Sequence, residues 1–82
     1  MPHVEVLWIE GPDGNIEHLA EHGITPAEAE DVLTNPIATE TSRSSGLPVA
    51  FGYTRHGRRL AVVYQSLDDI TVYPVTAYDV ED

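Results

Sequence analysis

The feature that most constrains the fold lies in the second half of the chain. Three runs rich in β-branched and aromatic residues, Leu47 to Thr54, Arg59 to Gln65 and Ile70 to Tyr78, are separated by two four-residue links, Arg55-His56-Gly57-Arg58 and Ser66-Leu67-Asp68-Asp69. Links this short suit antiparallel hairpins, because a parallel neighbour needs a crossover of about a dozen residues or more. Alternation places Val49, Phe51 and Tyr53 on one face of the first run and Leu60, Val62 and Tyr64 on one face of the second. Pro74, inside the third run, has no N–H to give to a ladder and predicts an edge position or a bulge.

The first half changes period. Val4 to Ile9 reads as a strand that stops at the turn-forming cluster Gly11-Pro12-Asp13-Gly14. Ile16, Leu19 and Ala20 then recur at helical spacing, with Asn15 expected as N-cap and Gly23 where a C′ residue of positive φ is wanted. Thr25-Pro26-Ala27-Glu28 announces a second helix: Thr25 as N-cap, Pro26 at the first helical position, and Glu28 three residues on to close a capping box. Ile24 can staple onto Ala29, while Ala29, Val32 and Leu33 form a buried stripe that ends at Asn35-Pro36. Ile37 to Gly46 is polar and is expected as an exposed loop that brings Arg43 close to the sheet. The expected architecture is an α+β single small domain, with two N-terminal helices packed on a twisted antiparallel sheet in the order β-α-α-β-β-β. Its core is expected to draw on Trp8, Leu19, Val32, Leu33, Phe51, Val62 and Tyr64.

Eighty-two residues hold one domain and leave no room for a two-lobed, cofactor-burying enzyme. The absence of cysteine excludes disulfides, thiolate zinc sites and thiol nucleophiles. No apolar run approaches the roughly 18–20 residues that cross a bilayer, and the N-terminus lacks the basic and apolar regions of a signal peptide, so a cytoplasmic protein without a membrane partner is expected. Four Arg, no Lys and 14 Asp or Glu make the formal charge −10. Such a field repels nucleic acid and anionic membranes and attracts basic partners.

The charges are also segregated. Residues 1–41 and 68–82 contain every acid and no Arg, whereas Ser42 to Leu67 contains all four Arg and no acid. The basic segment is either a solvated hairpin flanked by arginines or a small, local anion site.

Two constellations could carry chemistry. His18-Leu19-Ala20-Glu21-His22 matches an H-x-x-E-H zinc pattern and puts two imidazoles on one helical face, but a zinc hydrolase also needs a third ligand and a cleft, so no metal is expected. The alternative places His22 at the helix C-terminus, where the dipole favours its charged form, and His18 toward solvent. The second set is Arg43, Arg55, His56, Arg58 and Arg59 with Tyr53 and Tyr64 nearby. Guanidinium forks bind phosphates and a histidine passes protons near neutral pH, which is enough for general acid–base cleavage of a phosphodiester. Each tyrosine could equally be a core aromatic, and His56 an exposed turn residue.

Asn15, His22-Gly23-Ile24-Thr25, Glu28-Ala29, Val32-Leu33, Asn35-Pro36, Gly52, Thr54, Gly57-Arg58, Leu60, Val62-Val63-Tyr64 and Val75-Thr76-Ala77 follow the order and spacing of BrnT-type toxins. The chain thus resembles small ribonucleases of the RelE/ParE-like superfamily of toxin–antitoxin systems, over about Trp8 to Asp79. The His-Gly-Ile-Thr and Gly-Arg-x-Leu-x-Val-Val-Tyr stretches are the most telling. The resemblance implies helices on an antiparallel sheet, cleavage of RNA without metal or other cofactor, and a cognate antitoxin as partner. It carries over His22 and Arg58, with Tyr64 beside them; His56 is the second candidate proton carrier, and Arg43, Arg55 and Arg59 the candidate phosphate holders. Two departures remove positive charge from where RNA would approach: Glu21 replaces a basic residue before His22-Gly23, and Tyr78 to Asp82 stand where the family continues into a basic helix. A second reading, from a different class, is a non-catalytic binding module of the same fold whose acidic helices grip a basic protein.

Overall fold

A computed structural model describes residues 4–81. Met1 to His3 and Asp82, the last residue of the acidic terminal run, lie outside the described residues. The elements in chain order are β1 (Glu5–Val6), α1 (Asn15–Ala20), α2 (Pro26–Thr34), β2 (Ala38–Thr41), β3 (Pro48–Tyr53), β4 (Arg59–Ser66) and β5 (Thr71–Asp79). They form an α+β domain with both helices on one face of a five-stranded sheet of spatial order β1-β5-β4-β3-β2. The three expected hairpin strands are present, and the pairs β3–β4 and β4–β5 are antiparallel.

Three details differ from expectation. The sheet is mixed, because β1 runs parallel to β5 with Glu5 opposite Thr71. It has a fifth strand: Ala38–Thr41 pairs antiparallel with β3, although all four residues are exposed. The polar composition that suggested a loop is what a strand at the margin of a sheet carries when neither of its faces meets the core. The first strand is also shorter than Val4 to Ile9, because beyond Val6 its backbone finds a different partner in Asn15.

Asn15 is not the N-cap of α1; Gly14 holds that position without a side-chain cap. The Asn15 side chain is instead buried at 2 % exposure. Its Oδ1 accepts from the Ile9 N–H at 2.8 Å, and its Nδ2 donates to the Leu7 carbonyl at 2.9 Å and the Pro74 carbonyl at 3.1 Å. One amide thus stands in for the missing end of the β1–β5 ladder. Gly14 is required by packing, since a Cβ there would overlap the Ile9 carbonyl oxygen.

The second helix follows its sequence signals. Thr25 Oγ1 accepts from the Glu28 N–H at 3.2 Å and a Glu28 carboxylate oxygen accepts from the Thr25 N–H at 3.0 Å, completing the capping box. Gly23 turns the chain between the helices with φ of 73°. The stripe Ala29, Val32 and Leu33 packs with Leu19, Ile24, Ala50, Leu60, Val62 and Ala77 to make the main core, and Trp8 and Tyr64 border it. Trp8 Nε1 also donates to Glu30 at 2.6 Å.

The sheet register explains the one expected core residue that lies elsewhere. Phe51 is opposite Ala61, so it shares the helix-free face with Val49 and Val63, while Leu60 and Val62 project toward the helices. The Pro74 signal resolves as a bulge. Tyr64 faces Pro74 but Val63 faces Thr76, which leaves Val75 as the extra residue.

Candidate functional site

The β3–β4 hairpin is organised by a single buried threonine. Thr54 Oγ1 accepts from the His56 N–H at 3.3 Å and the Arg58 N–H at 3.1 Å, and the Thr54 N–H donates to the Arg58 carbonyl at 2.8 Å. Gly57 closes the turn at φ of 85°. Arg55, His56 and Arg58 are thereby displayed at one end of the sheet, over the start of α2 and the turn that contains His22 and Gly23.

Arg58 is the hub. Its Nε and one terminal nitrogen donate to the two oxygens of Asp79 at 2.6 and 2.8 Å, and the other terminal nitrogen donates to the Gly23 carbonyl at 2.9 Å and to Glu28 at 3.1 Å. Four of its five N–H groups are therefore engaged. The pair of carboxylates holds the guanidinium well above its ordinary pKa, the Asp79 hydrogen bonds being the larger cause. Glu28 is lowered chiefly by the Thr25 backbone N–H and secondarily by Arg58, and Asp79 is lowered by Arg58.

Arg55 is held in the same way. Asp31 accepts from its backbone N–H at 3.0 Å, its Nε at 3.4 Å and a terminal nitrogen at 3.1 Å, and these bonds lower the Asp31 carboxyl. A groove of about 370 Å³ opens here between α2 and the hairpin, lined by Thr25, Ala27, Glu28, Asp31, Arg55 and His56. His56 is exposed at its edge.

The sequence-derived set is only partly assembled. His22-Gly23 and Arg58 meet, so the two most telling stretches of sequence converge, and Arg55 and His56 stand beside them. Arg43 does not join them. It lies in the turn between β2 and β3, closed by the Ser42 N–H to Leu47 carbonyl bond, whereas Arg58 and Arg59 lie at the other end of β3. Six strand residues at about 3.3 Å each put the two ends roughly 20 Å apart. Arg59 starts β4 opposite Tyr53 and faces the side of the sheet away from the helices, as Ala61 does. Tyr64 borders the main core toward the far end of β4.

Opposite charges, segregated in sequence, are brought together in space. Glu28, Asp31 and Asp79 were legible as a cap, a helix residue and a strand end, but not as the partners of Arg55 and Arg58. The signal was the segregation itself: arginines in an acid-free stretch of an acidic chain find carboxylate partners only across the fold, as Arg55 and Arg58 do and, among the described residues, Arg43 does not.

The His18 and His22 rings lie edge to face with centroids 5.9 Å apart. Among the described residues no group of three or more His, Asp or Glu is placed to hold a metal ion. No described helix is long and apolar enough to cross a membrane. A second pocket, of about 400 Å³, lies away from the hairpin between α1 and β5. Compared with protein-family models, curated proteins and solved structures, the chain matches none.

Proposed function

We propose that this chain is a BrnT-like, toxin-fold member of a cytoplasmic toxin–antitoxin pair whose activity is to bind a basic protein partner, the antitoxin, through its acidic helical layer. The observation that carries this reading is the state of the arginines. Arg58 is enclosed by Glu28, Asp79 and the Gly23 carbonyl, and Arg55 is bonded to Asp31. A phosphate would have to displace a carboxylate from Arg58, would find the Nε edge of Arg55 already taken by Asp31, and would approach either one against a net charge of −10. A partner's Lys or Arg meets no such obstacle, because Glu17, Glu21 and Glu30 are exposed on the helical side and residues 1–41 contain no Lys or Arg.

A second reading, a metal-independent ribonuclease toxin acting on messenger RNA, is favoured by the meeting of His22-Gly23 with Arg58 and by the groove beside His56. In that reading His22 or His56 moves protons and an Arg stabilises the phosphorane charge.

Strong expression in a bacterial host, paired with titration of the purified chain by a lysine-rich peptide, separates the two. Normal growth, intact messenger RNA and salt-sensitive peptide binding, weakened by Glu17→Lys with Glu30→Lys, supports the binding protein. Growth arrest with loss of messenger RNA, relieved by His22→Ala or His56→Ala, replaces it with the ribonuclease.

A further inference from the structure

The two margins of the sheet are treated differently. On the β5 side the outer edge is covered from Thr71 to Pro74: β1 pairs with Thr71 and Val72, the Val72 carbonyl accepts from the Leu7 N–H, and Pro74 has no N–H and gives its carbonyl to Asn15. On the other side β2 has β3 as its neighbour and, among the described residues, no strand beyond it.

The phase of the β2–β3 ladder identifies the open groups. The Ser42 N–H donates to the Leu47 carbonyl at 2.7 Å, one pair beyond Thr41 opposite Pro48. Antiparallel pairs alternate, so Ala38 and Glu40 bond inward to β3, while the N–H and C=O of Thr39 and Thr41 point outward. Pro48 fits this phase, because it faces an outward-directed residue and costs the ladder no bond.

Two side chains give the margin its chemistry. Ile37, directly before β2, is 59 % exposed, more than any other large apolar residue among the described residues. Glu40 is the only charged residue within the strand and shares the helix-free face with its partner Val49. Arg43 stands just past the strand's end, so a basic group on an incoming chain belongs opposite Glu40 and no farther along.

We propose that the open edge of β2 receives an extended segment of the basic partner as a sixth strand, hydrogen-bonded to Thr39 and Thr41, with a Lys or Arg opposite Glu40 and an apolar side chain against Ile37. The inference rests on the reading of this chain as a binder of a basic protein, and it adds to the acidic helical layer a second point of contact, where an extended segment of that protein docks. Strand addition of this kind draws its affinity from main-chain bonds and its selectivity from alternate side chains. A second copy of this chain suits the edge less well, since the register that pairs Thr39 with Thr41 of the other copy sets the two Glu40 carboxylates directly opposite each other.

The test uses the isotope-labelled full chain and two synthetic probes, acetyl-Lys-Val-Lys-Val-Lys-Val-amide and the same peptide N-methylated at its valines. The second keeps the charge and loses the donors of one edge. The first peptide is expected to shift resonances of Ile37 to Thr41 and to slow amide exchange at Thr39 and Thr41. N-methylation is expected to weaken binding by about tenfold or more, as is Thr39→Pro, which removes an outward N–H without touching the ladder. Glu40→Lys is expected to weaken it by about fivefold. If Thr39→Pro does not fold, the N-methylated peptide and Glu40→Lys decide the matter.

Equal binding of the two peptides would overturn the proposal. So would resonance changes at Glu17, Glu21 and Glu30 with β2 unmoved, an outcome that leaves the proposed function standing. Failure of both peptides to bind removes both readings. Slowed exchange at Thr39 and Thr41 in the chain alone, rising with concentration, would assign the edge to a second copy instead.

Discussion

Asn15→Ala tests whether a single side chain replaces the missing end of the β1–β5 ladder. The substitution removes three hydrogen bonds and leaves the Ile9 N–H and the Leu7 and Pro74 carbonyls without partners. At about 1 kcal/mol for each bond the loss is about 3 kcal/mol, and the Pro74 carbonyl, fully enclosed, moves it upward rather than downward. A domain of this size has about 4–12 kcal/mol of stability in total, so the variant loses a large share of it, and the melting midpoint is expected to fall by about 12–24 °C. Urea unfolding followed by Trp8 fluorescence and by circular dichroism measures the change, and hydrogen exchange at Ile9 locates it. Asn15→Asp is the informative companion. It keeps the acceptor for the Ile9 N–H but turns a carboxylate toward two carbonyl oxygens, so it is expected to be at least as harmful at pH 7 and to recover part of the loss at acid pH, where the protonated carboxyl can donate. A loss below about 0.5 kcal/mol for Asn15→Ala, within the range of an ordinary surface substitution, would refute the bridging role.

Gly14→Ala is expected to destabilise by about 2 kcal/mol or more and to displace Leu7 to Ile9, because its Cβ would overlap the Ile9 carbonyl; an unchanged melting temperature would show that the segment yields freely. Thr25→Ala removes the α2 cap and is expected to cost about 1 kcal/mol in denaturant unfolding, with Thr25→Ser restoring most of it. Arg58→Met leaves Glu28 and Asp79 without their shared cation and is expected to lower the melting midpoint at pH 7. Both carboxyls are held below their ordinary values of 4.5 and 3.8, so their contribution is present above that range and lost as pH falls below it. The gap between wild type and Arg58→Met should therefore narrow below about pH 4, and a gap independent of pH would remove the ion pairs as its cause.

The elements whose signals are local were readable from the chain. The Thr25-Pro26-Ala27-Glu28 start of α2 depends on groups within one helical turn, and the two hairpins depend on links too short for any other connection. The bulge at Pro74 follows from a missing N–H, and period-two alternation tells which residues of one run share a face, whereas the placement of Phe51 away from Val62 depended on the register that pairs Phe51 with Ala61. Charge segregation was equally visible. It marked all four arginines alike, and it neither separated Arg55 and Arg58 from Arg43 and Arg59 nor named their partners.

What lay beyond the sequence were the pairings between groups far apart along it. Ala38–Thr41 becomes a strand only because β3 offers it a ladder, and no periodicity records that when all four residues remain exposed. Asn15 has the composition of a cap, yet it bridges Leu7, Ile9 and Pro74 because folding leaves those backbone groups dry and within its reach. Arg58 has the composition of a phosphate ligand, yet Asp79, 21 residues on, and Glu28, 30 residues back, occupy its fork. Local chemistry determined the elements and the donors and acceptors this chain carries; which donor meets which acceptor was decided by the tertiary structure, because a hydrogen bond depends on a distance of about 3 Å and not on separation along the chain.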